Sequence, residues 1–196
     1  ERCIHIAKVP RSSRGESTKL NMPDIQTINL IQRITGLTAF VLITLQTSLS
    51  SNIKFTKLHK LNGILAYTFI FIHPILMILY RYSYMGKFDP FYVYTDFCVL
   101  CDGTYEHLVN LGRIAFYITT LTVLTAKFKN YLSEWIKNNW RKLHVLNYVA
   151  FYLVSVHAYN LGSDTSKPWF IYLFWLCQII VGIVSVKKIR PFFQKN

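Results

Sequence analysis

Five stretches of the chain are apolar almost without interruption, at roughly 28–48, 61–80, 108–126, 143–161 and 168–186. A helix needs about 20 residues to cross the hydrocarbon of a bilayer, and each stretch is close to that length. The runs are continuous rather than alternating, so they predict helices and not the strands of a barrel. In lipid, only helices or closed barrels satisfy their own backbone polar groups. The expected fold is an all-α integral membrane protein, a bundle of five transmembrane helices. The connections are too short to hold a second folded domain. The chain therefore divides into an N-terminal extramembrane segment, 1–24, a membrane domain, 25–190, and a cytoplasmic tail, 191–196.

Composition sharpens the picture. Apolar types make up 52% of the chain and charged types only 16%, where a soluble domain carries about 25% charge. That excludes a disordered chain and argues against a soluble enzyme. The net charge is +13 with a pI near 9.7, but the basic residues lie between apolar runs and not along one face, so nucleic acid is not the expected partner. The lipid bilayer is. Lys54, Lys57 and Lys60 fall in the first connection, Lys127, Lys129, Lys137, Arg141 and Lys142 in the third, and Lys187, Lys188, Arg190 and Lys195 at the end. In a five-span chain these lie on one side, which the positive-inside rule makes the cytoplasm. The second connection carries Asp89, Asp96, Asp102 and Glu106 and falls outside, as does the nearly neutral fourth. The expected location is a multi-pass position in the plasma (inner) membrane with the C-terminus cytoplasmic. Residues 1–24 then lie outside despite five basic residues against three acidic ones. Residue 1 is Glu and not Met, and an upstream sixth span would remove that conflict.

Four of the six histidines form a pattern. His59 and His73 lie at the start of and within the second span; His144 and His157 lie likewise in the fourth. The separations are 14 and 13 residues, or roughly 20 Å of helix. The second and fourth spans run parallel, so His59 matches His144 at one depth and His73 matches His157 at another. Ionisable groups inside a bilayer are costly and usually functional. Two histidines per level are too few for zinc, which takes three or four ligands. Haem iron needs only two axial ligands on opposite faces. The spacing also poses a problem: fourteen residues return to within about 40° of the same helix face, whereas thirteen land about 140° away. A local distortion such as a π-bulge in the fourth span, or two haems at different azimuths, would accommodate it. Pro74 should kink the second span.

These residues resemble the ferric-reductase-like transmembrane domain shared by ferric reductases and NADPH oxidases. Leu-His59-Lys-Leu-Asn-Gly, running on to His73-Pro74, is similar to that family's first ligand helix, and Trp140-Arg-Lys-Leu-His144, running on to Val-His157-Ala, to its second; Gln-Arg33-Ile-Thr-Gly36 and Leu-Gly112-Arg113 add to the likeness. The resemblance covers about 28 to 190. It implies two b-type haems, an inner one on His59 and His144 and an outer one on His73 and His157. It implies electron flow from a cytoplasmic flavoprotein carrying FAD and NAD(P)H to an extracytoplasmic acceptor such as ferric iron. No Gly-rich dinucleotide fingerprint occurs in the sequence, so the flavin module belongs to a partner or to a missing domain. Two variants stay open, a haem-bearing subunit feeding a periplasmic methionine-sulfoxide reductase and a superoxide-generating oxidase. Oxidases often carry a further histidine one turn beyond the outer ligand, where this chain has Met77. A reading of another class is a cofactor-free proton or ion transporter, or an assembly subunit.

Arg33 and Arg113 fall in the outer halves of their spans, where haem propionates could pair with them; snorkelling to the interface is the alternative. Lys60, Arg141 and Lys142 could serve the inner haem but fit a positive-inside cluster better. Cys98 and Cys101 form a lone CxxC in the outer connection, where a disulfide would form in an oxidising compartment. The neighbouring Asp96, Asp102, Glu106 and His107 could hold a hard cation but more often such residues are solvated. Cys3 and Cys177 look unpaired. Trp135, Trp140, Trp169, Tyr80, Tyr82 and Tyr84 mark the span ends as an interfacial belt. Phe69, Phe71, Phe116 and Phe151 could lie between the haems, although most should simply pack.

Overall fold

The structure is a computed structural model, and it describes residues 24–49 and 55–193. Among these residues seven helices follow in order: α1 Ile25–Leu49, α2 Thr56–Met85, α3 Tyr92–Thr95, α4 Thr104–Phe128, α5 Glu134–His144, α6 Leu146–Leu161 and α7 Pro168–Phe193. No strand occurs among the described residues. Cys3, His5 and Lys54 lie outside them.

Among the described residues, four helices are long and apolar enough to cross a membrane: Ile25–Leu49, Thr56–Met85, Thr104–Phe128 and Pro168–Lys188. A 25-residue helix is about 38 Å long, more than the hydrocarbon thickness. The chain is an all-helical multi-pass membrane bundle. The expected fourth span, 143–161, is built from two helices. α6 has 16 residues, about 24 Å, and joins α5 at Val145. Val145 keeps right-handed helical dihedrals, φ −62° and ψ −25°. The bonds across it, Val145 N–H to Lys142 C=O at 3.2 Å and Tyr148 N–H to Val145 C=O at 3.0 Å, skip three residues and not four. This is a tightened turn of 3₁₀ type.

Local sequence explains the ends. α2 stops at Gly86, whose φ of 70° lets its N–H turn back to Tyr82 C=O at 2.8 Å; a side chain there would be strained. α2 runs unbroken through Pro74. α7 opens on Pro168, whose missing N–H is no loss in a first turn. α5 is basic and two-faced: Ile136, Trp140 and Leu143 are half-buried along one side, while Lys137, Arg141 and Lys142 are exposed on the other. Glu134 sits in its first turn and Arg141 and Lys142 in its last, matching the helix dipole.

α1 packs on α2, α4 on α6, and α7 on α1. α2 and α6 scarcely approach through their backbones. The core lies where α1, α6 and α7 meet: Phe40, Tyr148, Phe151, Phe170, Phe174, Cys177 and Val181. Phe40 stacks on Phe151 with ring centres 5.5 Å apart and on Phe174 at 5.8 Å. Phe151 is therefore a core residue, while Phe71 lies 6.4 Å from Phe116 between α2 and α4. Buried hydroxyls are satisfied within their own helices, as lipid demands: Thr44 donates to Phe40 C=O at 3.0 Å and Thr125 to Leu121 C=O at 2.8 Å.

Candidate functional site

Three of the four paired histidines sit on α2 and α6, and the fourth, His144, is the last residue of α5. The 13-residue spacing therefore does not run along one straight helix. The tightened turn at Val145 separates the two rings, and no π-bulge is needed to re-aim them.

The fold brings the histidines together level by level. His59 and His144 have ring centres 6.2 Å apart with planes at 66°. His73 and His157 are close enough to interact electrostatically. His73 Nδ1 donates to Gln32 C=O on α1 at 3.2 Å. His157 Nδ1 donates to Leu108 C=O on α4 at 2.9 Å. Four residues after each of those carbonyls comes a glycine. A methyl group on Gly36 would lie 2.9 Å from the His73 ring, and one on Gly112 would lie 2.8 Å from the His157 ring. The two halves of the bundle, α1 with α2 and α4 with α6, thus hold their rings in the same way.

The likeness extends to the other level. Gln46 lies 14 residues after Gln32 and Thr122 lies 14 after Leu108. The backbone of Gln46 rests against His59 and that of Thr122 against His144. The side chains here form a polar cluster. Gln46 Nε2 donates to His59 Nε2 at 3.1 Å, and Asn62 Nδ2 donates to Gln46 Oε1 at 2.9 Å. Gln46 packs over Gly63, where a methyl would lie 2.8 Å from its amide nitrogen. Across the bundle, Thr122 Oγ1 donates to Asn147 Oδ1 at 2.8 Å, and Asn147 Nδ2 reaches His144 Nδ1 at 3.4 Å. His59 Nδ1 is buried with no hydrogen-bond partner.

The donor set limits what could bind. Among the described residues, no three His, Cys, Asp or Glu side chains gather as a metal ion would need. That includes Asp96, Asp102, Glu106 and His107, of which His107 Nε2 donates to Cys101 C=O at 3.0 Å. Two imidazoles at a time are what the described residues offer. A pair held on opposite sides of one metal, with bonds of about 2 Å, keeps its ring centres about 6 Å apart, close to the separation of His59 and His144. The rings of His73 and His157, each with its Nδ1 given to a carbonyl and a glycine close beside it, fit a flat group taking one imidazole from each side.

Both arginines have protein partners. Arg33 pairs through Nη2 and Nε with Asp164, between α6 and α7. Arg113 donates to Val93 C=O at 2.9 Å, Tyr92 C=O at 3.1 Å and Asn110 Oδ1 at 2.7 Å. It pins α3 to α4. Tyr92 closes that end of the bundle: its hydroxyl donates to Met77 C=O at 3.0 Å, and Arg81 lies 4.1 Å over its ring. Burial pushes its phenol up to about 12. Cys98 and Cys101 are joined in a disulfide, and Cys177 is free and buried.

Sequence reasoning found the four rings but not what holds them. Gly36 and Gly112 were visible only as parts of a resemblance; their role needs the carbonyls of Gln32 and Leu108, which no side-chain pattern marks. Gln46, Asn62, Thr122 and Asn147 did leave a signal, as amides and hydroxyls inside apolar runs. Comparison with protein-family models, with curated proteins and with solved structures gives no match to this chain.

Proposed function

We propose that the chain conducts electrons across a membrane through two b-type haems, one held by His59 and His144 and one by His73 and His157, whose irons supply one-electron oxidation and reduction. The observation that carries this reading is the matched holding of His73 and His157. An imidazole that gives its Nδ1–H to a carbonyl is fixed as one tautomer, with the Nε2 lone pair left for a metal. Gly36 and Gly112 let each ring come close against the neighbouring helix. The scarcity of direct backbone packing between α2 and α6 supports the same reading, because a planar group between them needs that space.

Direction and partners follow from charge. Lys57, Lys60, Lys127, Lys129, Lys137, Arg141 and Lys142 gather at the His59–His144 end, which the positive-inside rule makes cytoplasmic. A flavoprotein carrying FAD and NAD(P)H is the donor on that side, and an extracytoplasmic acceptor such as ferric iron takes the electrons at the His73–His157 end. The Cys98–Cys101 disulfide supports an oxidising compartment there. The membrane is then the plasma membrane, with the C-terminus cytoplasmic.

A second reading has one observation in its favour. Asn62, Gln46 and His59 form a hydrogen-bonded chain inside the bundle, as a cofactor-free proton or ion path would use. The absorption spectrum of the purified chain separates the two. Haem ligated by two imidazoles gives a Soret band and a sharp α band on reduction; a colourless protein that still moves protons sinks the electron-transfer reading.

A further inference from the structure

The Cys98–Cys101 disulfide has a role to fill that stability does not explain. It closes a loop of four residues, the short end of the range, where a cross-link constrains the unfolded chain least. Its two-residue spacer, Val99-Leu100, is 77% and 95% exposed, and both cysteines are partly exposed. Exposed disulfides are the labile and catalytic ones.

The loop is held by groups that do not involve sulfur. Asn110 Nδ2 donates to Cys98 C=O at 2.7 Å and His107 Nε2 donates to Cys101 C=O at 3.0 Å. Neither bond uses a sulfur atom, so opening the S–S bond removes neither donor nor acceptor. The same stretch of α4 reaches the outer histidines: Leu108 accepts from His157, and Gly112 floors its ring. From His107 to Gly112 is about 7.5 Å along the helix axis. The disulfide and the His73–His157 level are therefore attached to the same two turns of α4.

We propose that Cys98–Cys101 is a redox-active disulfide that exchanges with cysteine thiols or disulfides of a protein on the outer side, Val99 and Leu100 giving the apolar contact. In the exchange, an external thiolate attacks one sulfur, the Cys98–Cys101 bond breaks, and the departing sulfur takes a proton. A second external thiol, losing its proton, then attacks the resulting mixed disulfide. The sum is one disulfide and two thiols converted to two thiols and one disulfide. The exchange also runs in reverse: with the pair as two thiols, one loses its proton and attacks an external disulfide, whose S–S bond breaks to release a thiolate that takes a proton, and the second cysteine thiol, losing its proton, then displaces the other external sulfur and re-forms Cys98–Cys101.

The test uses the full chain in detergent, with glutathione at a series of reduced-to-oxidised ratios. The peptide holding Cys98 and Cys101 is trapped by alkylation and weighed. The pair should interconvert reversibly within the glutathione series, and Cys98→Ser should leave Cys101 as a mixed disulfide with glutathione. A pair that stays oxidised until the protein is denatured overturns the proposal, as does a Cys98→Ser chain that folds and shows no adduct. The absorption spectrum is recorded on the same sample. A coloured protein with an inert pair rejects only the exchange site; a colourless protein with an exchanging pair rejects only the electron-transfer reading.

Discussion

His59 and His144 face each other with ring centres 6.2 Å apart, although one opens α2 and the other closes α5. Sequence distance between them is 85 residues, so the approach is a property of the fold. It depends on α5 ending where it does: His144 packs against Trp140 with centres 6.2 Å apart, and Trp140 in turn carries Lys129 at 4.3 Å over its ring.

Replacing Gly36 or Gly112 by alanine puts a methyl inside van der Waals contact of a ring held by its own hydrogen bond. Overpacking of this kind costs roughly 1–3 kcal/mol. Each variant should lose bound haem at the His73–His157 level, read as a fall in the haem-to-protein ratio. Gly182→Ala is the control, since a methyl there meets only Tyr152 Oη at 4.0 Å; its ratio should not change.

Arg33 and Asp164 form an ion pair at a partly exposed position, and such pairs contribute about 0–1 kcal/mol. Arg33→Gln and Asp164→Asn should therefore lower thermal stability slightly and by similar amounts, with the spectrum unchanged. A shift in haem potential in Arg33→Gln alone would show that the guanidinium serves a propionate.

Arg113→Gln leaves the carbonyls of Tyr92 and Val93 without their donor. Losing charged hydrogen bonds of this kind costs about 1.5–3 kcal/mol. The outer connection, residues 87–103, should become sensitive to added protease in intact vesicles while α4 stays protected.

Tyr92 gives a pH signature. Its phenol is raised from 10.0 to about 12, chiefly by burial. The folded state therefore favours the neutral form: the contribution is complete below pH 10 and is lost as pH rises toward 12. Ultraviolet titration should show a tyrosine ionising after the exposed ones, and Tyr92→Phe should remove it and flatten the alkaline loss of stability.

Much of this molecule could be read from residue order because lipid imposes simple demands. Long apolar runs became α1, α2, α4 and α7, and loop charge separated two faces. Residues 143–161 were legible as apolar but not as two helices, since the break at Val145 involves no proline or glycine and turns on three-residue hydrogen bonds. The pairing of His59 with His144 followed from matched depth on parallel spans. Arg33 was harder: Asp164 is 131 residues away in a short connection, and a cation in an apolar run names no partner. Backbone carbonyls such as those of Gln32 and Leu108 carry no sequence mark at all, so the holding of His73 and His157 appears only in three dimensions.

The most direct measurement is haem per chain, with the reduced spectrum, in the unaltered protein and in His73→Ala, His157→Ala, His59→Ala and His144→Ala. The account predicts two haems in the first, and one in each variant, with one spectral component lost in common by His73→Ala and His157→Ala and the other by His59→Ala and His144→Ala. An unaltered protein that binds no haem, or folded variants that keep both, would contradict it.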